Sequence, residues 1–318
     1  MLSIHRNDHR EPVVWHAGED FPAGAVWFDL SAPDSDELRR IEAMTGSAVP
    51  RPEQLSALGL AQRNRDDEHT LHMQLTLFAD EAGAVDTPLG IALDERFMIS
   101  LAYTPSSIVE HAGSQWRQAR EQTPASAFAM LLETAINEIA ARMQQIAADL
   151  ATLSDEVFVE RARRTDELHD MMLRVGRLEG RLARFRPSLL GFARTLGFVD
   201  NRAPDWLSKA ARSRLKVIAS DLKTLEEFDD QLTEKLQFLL DAILGFISTA
   251  QNAVMKLLTV VSVVTIPPVI LAGVWGMNFR HMPELDKLWG YPAALTALLL
   301  SMLPPLLWFR LRGWLGKD

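Results

Sequence analysis

The sequence predicts an α+β cytosolic domain, a small sheet with helices around it, leading into a very long stalk helix and two C-terminal transmembrane helices. Three observations predict it. Apolar residues are unevenly spread: the first ~240 of the 318 residues are charge-rich, and nearly all the long apolar stretches follow. Hydrophobic alternation of period two gives way near residue 126 to helical spacing. Two runs without charge, 257–279 and 288–309, each exceed the roughly 20 residues that cross a bilayer core.

Residues 1–125 read as an α/β subdomain. A strand is predicted over 26–30, then a helix N-cap region at Ser31, Ala32, Pro33 and Asp34 before a helix through Glu37 and Ile41. Leu71, Met73, Leu75 and Leu77 alternate with polar residues, which predicts a strand over 69–79; two more are expected at 89–93 and 97–103. A helical subdomain follows over 126–203. Phe128, Leu131, Leu132, Ala135, Ile136, Ile139 and Met143 fall at helical spacing, and the stripe continues through Ile146 and Leu150. A second helix is expected from about 156 to 185 and a short one over 188–198, with 200–204 as the break before the longest.

From 205 to about 275 the only prolines are Pro267 and Pro268, and the only glycines Gly245 and Gly273. Leu215, Ile218, Leu222, Leu225, Phe228, Leu232, Leu236, Leu239, Ile243 and Phe246 step by threes and fours, as in a coiled-coil-like stalk. At 1.5 Å per residue, roughly 70 residues make a rod of ~100 Å. No globular domain of this size surrounds such a rod, so part of it crosses or approaches a membrane. The divisions expected are stalk 204–253, first span 254–277, external loop 278–288, second span 289–310 and basic tail 311–318. Two spans cannot enclose a pore, so a pathway requires several copies, and the stalk periodicity gives them a reason to associate.

Composition excludes several classes. No cysteine is present, which removes disulfide frameworks, thiolate catalysis and Cys-based zinc sites. A net charge of -9 disfavours nucleic acid as a partner. No H-E-x-x-H, phosphate-binding glycine loop or Ser-His-Asp set is visible, so the chain does not read as an enzyme. The polar start carries no signal-peptide run, and Lys256, Arg310, Arg312 and Lys317 flank the spans. Both termini are therefore expected in the cytosol, with the spans in a bacterial-type inner membrane, although Arg280 and Lys287 in the loop weaken the contrast. Trp275, Trp289 and Tyr291 sit where an interfacial aromatic belt would lie.

Weaker signals remain. Glu226, Glu227, Asp229 and Asp230, with Glu234, form either a cation-sensing cluster or a solvated acidic face; Asp155 with Glu156, and Asp66, Asp67 and Glu68, are fainter candidates. His69 and His72 beside Glu68 could suggest zinc, but three apart on a strand they point to opposite faces. Arg161, Arg163, Arg164, Arg174, Arg177, Arg181, Arg184 and Arg186 make the middle helices basic and are expected to pair with neighbouring acids.

At Gly276, Met277, Asn278 and Phe279, followed by Met282, Pro283, Glu284 and Leu285 and by Trp289, Gly290, Tyr291 and Pro292, the sequence resembles the CorA family of magnesium transporters. The resemblance implies a funnel-shaped homopentamer in membrane lipid, the first span of each subunit lining a central pore. The cargo would be divalent cations, Mg2+ foremost, with Co2+, Ni2+ or Zn2+ as further ions, and cytosolic Mg2+ bound between subunits would hold the channel shut. By carry-over, Gly276, Met277 and Asn278 form the selectivity filter, and Asn252, Met255, Leu258, Ile266, Val269 and Gly273 face the pore, with Ser262 and Thr265 the nearest hydroxyls. Magnesium dehydrates reluctantly, so a ring of Asn278 amide oxygens accepts hydrogen bonds from its water shell without stripping it. Gly276 lets the backbone turn, Met277 packs behind the loop, and Met255 with Leu258 makes a constriction that closes by dewetting. Glu284 and Asp286 would raise cation concentration at the mouth. Ile266 and Val269 stand where better-known members have methionine and threonine, and Trp275 replaces a tyrosine. Two alternatives stay open: a zinc transporter of the related ZntB-like branch, and a non-conducting membrane-tethered interaction protein with a CorA-like fold.

Overall fold

Alternating apolar residues along five- to eight-residue segments build the sheet, and a computed structural model shows how they pair. It describes residues 1–8, 11–16, 18–46, 49, 65–67, 70–78, 87–159, 165–202, 204–277 and 287–315. Among these, seven strands form one sheet: β1 (Leu2–Arg6), β2 (Val13–Val14), β3 (Ala25–Ser31), β4 (Arg65–Asp67), β5 (Thr70–Leu77), β6 (Thr87–Leu93) and β7 (Met98–Ala102). Their order is β2-β1-β3-β7-β6-β5-β4. Only β3 and β7 pair in parallel, from Trp27 opposite Met98 to Ser31 opposite Ala102. The four strands expected from the sequence are present. The short β1, β2 and β4 were not foreseen, and neither was α2 below; in β1, Leu2 and Ile4 are fully buried but offer too short a pattern to read.

Helix α1 (Ser35–Thr45) starts where the capping signal stands. Asp34 accepts hydrogen bonds from the Asp36 and Glu37 N–H groups, both at 2.8 Å, and Glu37 reaches back to the Asp34 N–H at 3.0 Å. Glu37 also holds the N-terminal ammonium at 3.0 Å. Helix α2 (Ser107–Arg117) buries Ile108, Val109, Ala112 and Trp116.

The middle helices correct two expected boundaries. Helix α3 (Pro124–Val159) passes through the break expected before residue 156, because Leu153 and Val157 prolong its buried stripe. Helix α4 covers Thr165–Ala183. Helix α5 (Arg186–Arg202) is longer than the 188–198 expected, with Pro187 in its first turn, where the missing N–H has no helical partner to lose. It lies against β5, whose Thr70 and Gln74 are buried along with its apolar residues.

Helix α6 (Lys209–Trp275) runs 67 residues, and α7 (Gly290–Leu311) runs 22. The chain divides into two compact units, Met1–Val159 with Leu173–Leu239, and Glu160–Met172 with Leu240–Asp318. Within the first, Leu215, Ile218, Leu222, Leu225, Leu232, Leu236 and Leu239 are buried in their own chain. That corrects one expectation over this stretch: these residues are already covered and are not a free surface for association between copies, whereas Phe228 is half-buried and Phe246 is exposed. Arg214 donates to the Glu133 carboxylate of α3 through Nε at 2.7 Å and Nη2 at 2.5 Å. Arg174 pairs with Glu156, Arg181 with Asp149 and Arg186 with Asp229, as expected for the basic middle helices; Arg161, Arg163 and Arg164 lie outside the described residues.

One polar chain crosses the sheet interior. The Trp27 indole N–H donates to Ser100 Oγ at 2.8 Å, and the Ser100 hydroxyl donates to Asp29 at 2.7 Å. His5 stacks on Trp27, ring centroids 4.7 Å apart, and approaches helix α2 where Gly113 has no side chain; a Cβ there would stand 2.7 Å from the imidazole. Burial pushes the His5 imidazole down to about 4, with nearby Arg117 adding to the effect, and pushes the Asp29 carboxyl up to about 6 against the Ser100 hydrogen bond.

Candidate ion pathway

Both α6 and α7 are long and apolar enough to cross a membrane, with little of their apolar stretches buried. Pro267 and Pro268 sit inside α6 and supply no N–H to the carbonyls of Val263 and Val264, yet the helix continues through them. The Thr265 hydroxyl donates to Val261 O at 2.8 Å.

Two faces of α6 can be told apart. At 3.6 residues per turn, Asn252, Met255, Leu258, Ser262, Ile266, Val269 and Gly273 fall within about 120° of the helix circumference. All seven are exposed in the single chain. Met255 is 59%, Ile266 51% and Val269 67% exposed, whereas Val260 and Val264, on the opposite side, are 8% and 7% exposed. These two valines pack against Phe309 of α7, which is 1% exposed, together with Met302 and Leu306. The carried-over stripe therefore faces away from α7. The Val260–Phe309 seam was not foreseen, since α7 is apolar all round and its sequence marks no face.

At the end of the stripe, the Gly276 N–H still donates to Ala272 O at 2.9 Å and Met277 N–H to Val274 O at 3.3 Å. Gly276 lies in the turn that ends α6 and takes it without a left-handed conformation. What its lack of a side chain does allow is a close approach, since a Cβ would lie 3.2 Å from Ala272 O. Met277 is 47% exposed, and the loop behind which it is expected to pack lies outside the described residues. Asn278, Glu284 and Asp286 lie outside the described residues.

The acidic run on α6 does not act as one group. Asp229 is buried at the step between Leu225 and Leu232 and accepts a hydrogen bond from Arg186 Nε at 3.0 Å, while its Oδ1 has no partner. Glu227 lies 3.9 Å from Lys223. Glu226 titrates above the usual carboxylate range because it is partly desolvated and near Asp230. Asp229 is thus part of the core, not of a solvated face. Its buried position among leucines was the signal that could have revealed it. Among the described residues no three His, Asp or Glu side chains converge to hold a metal. His72 is on β5, Asp66 and Asp67 are on β4, and Glu68 and His69 lie outside the described residues.

A family model described as CorA-like Mg2+ transporter protein matches residues 22–312. The chain belongs to the CorA family. The magnesium transport protein CorA of Escherichia coli is 30% identical over 323 residues, covering 99% of this chain and 100% of that protein. The protein of the same name from Salmonella typhimurium is 30% identical over 298 residues, 92% of each chain. The complete CorA structure from Methanocaldococcus jannaschii superposes with a TM-score of 0.80 at 18% identity, covering 99% of this chain and 98% of that one. The full-length CmaX protein gives 0.71 at 17% identity, covering 97% and 96%. These structural likenesses carry the fold: an N-terminal sheet domain, a 67-residue helix and a C-terminal apolar helix. CorA-family proteins are transporters, which sets the chain apart from enzymes.

Proposed function

We propose that the chain is one subunit of a channel for hydrated divalent cations, with Mg2+ influx as its main activity and Co2+ and Ni2+ as further cargo. The observation that carries this is the exposed stripe from Asn252 to Gly273, on the side of α6 away from the α7 seam and leading to Gly276, Met277 and Asn278. An apolar helix face left open in one chain is covered by lipid or by another copy of itself. Five copies, arranged as a homopentamer, place the stripe around a common axis and α7 outside it.

In this arrangement residues 204–253 form the stalk, 254–277 the pore-lining span, 278–288 the external loop, 289–310 the outer span and 311–318 a cytosolic tail. Both termini lie in the cytosol, and the spans cross the inner membrane. Neutral Asn278 amides hold the ion through its water shell, and a hydrated Mg2+ keeps waters that its ligands do not have to replace. Glu284 and Asp286 concentrate cations at the mouth. Below the ring, Val269, Ile266, Leu258 and Met255 make a dry passage, with Ser262 as its hydroxyl step, and an apolar constriction gates by dewetting. Cytosolic Mg2+ closes the channel. Within one chain Glu226, Asp230 and Glu234 are the members of the acidic run left to serve such a site, since Asp229 is engaged by Arg186 and Glu227 lies near Lys223.

Ion influx into proteoliposomes tests this reading, measured for Mg2+, Co2+ and Zn2+ with the wild-type chain and with Asn278→Ala. Mg2+ influx that falls at least tenfold in the variant is expected. No flux of any ion sinks the channel reading, and zinc-only flux driven by a proton gradient moves the chain to a zinc-transporting function.

A further inference from the structure

The end of the helix pair opposite the Gly276 loop carries a group of cations that the ion pathway does not use. We propose that Lys256, Arg310 and Arg312, framed by Trp308 and Trp314, form a binding site for the phosphate headgroup of an anionic membrane lipid. The proposal rests on the membrane-spanning reading of α6 and α7.

Three observations carry it. First, the cations share one end. Val260 of α6 and Phe309 of α7 belong to one packed cluster; Lys256 precedes Val260 by one helical turn, and Arg310 and Arg312 follow Phe309. All three are exposed, and none has an ion-pair partner among the described residues. After Asp241 the only acids in the sequence are Glu284, Asp286 and Asp318, the first two in the loop between the helices. This end therefore has a marked excess of positive charge.

Second, the chain is fixed where the arginines emerge. Helix α7 stops at a left-handed Gly313 with φ 76°, and Trp314 folds back so that its N–H donates to Phe309 O at 2.9 Å. Its ring lies 5.3 Å from that of Phe309. Third, the Arg312 guanidinium sits over the Trp308 ring at 5.1 Å, a stacking that leaves its N–H edges free to donate to an anion. Aromatic rings beside arginines and a lysine at the end of an apolar span match the headgroup level of a bilayer, and basic pockets between transmembrane helices suit phosphate headgroups.

The test uses the full chain with Trp275→Phe and Trp289→Phe, so that Trp308 and Trp314 report on the bilayer, in vesicles of mixed phosphatidylcholine and phosphatidylglycerol. Tryptophan quenching is compared when one lipid or the other carries brominated chains. Each basic residue near an anionic surface contributes about a fivefold factor in affinity, so an apparent preference for phosphatidylglycerol of about fivefold or more is expected. It should vanish in the Lys256→Gln, Arg310→Gln, Arg312→Gln triple variant and survive in Arg310→Lys, Arg312→Lys. Equal quenching by both lipids overturns the proposal and leaves the membrane reading intact; no quenching by either removes the membrane reading and the proposal with it. If the triple variant does not reconstitute, potassium chloride decides: a preference that declines with salt supports the site, and one insensitive to salt overturns it. Loss of the preference on adding inorganic phosphate at constant ionic strength overturns the lipid as its occupant.

Discussion

Asp29 and His5 sit in the same sheet domain with titrations displaced in opposite directions. An aspartate that titrates near 3.8 when unfolded and about 6 when folded binds its proton more tightly in the fold. Its contribution to stability is full below about pH 4 and is lost as pH rises through about 6. Asp29→Asn keeps an acceptor for Ser100 without the buried charge. It should raise the melting temperature of the detergent-solubilised chain by about 3 °C or more at pH 8, with the gain shrinking to nothing near pH 4. A gain that persists unchanged at pH 4 would place the effect elsewhere. His5 works the other way: its stability is lost as pH falls from 6.5 toward about 4, because the buried ring must then take up a proton. Neither displacement is legible in the sequence, since both come from long-range packing of β1, β3, β7 and α2. Asp229 is a different case, because Leu225, Asp229, Leu232 and Leu236 keep one helical spacing. An acid in a buried row needs a cation partner, and only the fold identifies it as Arg186.

Elements were legible where a period ran long enough. The alternation of Leu71, Met73, Leu75 and Leu77 located β5, and the capping signal at Asp34 located α1. Asp34→Ala removes two accepted hydrogen bonds at that helix start and should lower the midpoint of denaturant unfolding, an effect that Asp34→Asn largely restores. The misplaced break near 156 has a physical origin. The apolar stripe read from the sequence stops at Leu150, but Leu153 and Val157 continue it as buried residues of one helix. On the membrane side, the family resemblance gives α6 a face, whereas α7 has none until Phe309 meets Val260 and Val264. Phe309→Ala should destabilise that helix pair by about 3 kcal/mol, seen as earlier thermal loss of the reconstituted species. An unchanged melting curve would show that the seam contributes little.

At the scale of the whole molecule, a leucine stripe that looked like an oligomerisation surface is buried within its own chain, and a different surface remains open. The Asn252–Gly273 face was legible through the Gly276, Met277 and Asn278 resemblance; its opposition to the α7 seam was not, because that depends on packing between two apolar helices. The chain contains no cysteine, so a single introduced thiol reports one position without background. The direct measurement is Mg2+ influx into proteoliposomes before and after a membrane-impermeant, positively charged thiol reagent, with Ile266→Cys on the open face and Val264→Cys on the seam. Block of Ile266→Cys with Val264→Cys unaffected is the predicted result. Block of Val264→Cys alone, or of neither while both conduct, would contradict a pore lined by the Asn252–Gly273 face.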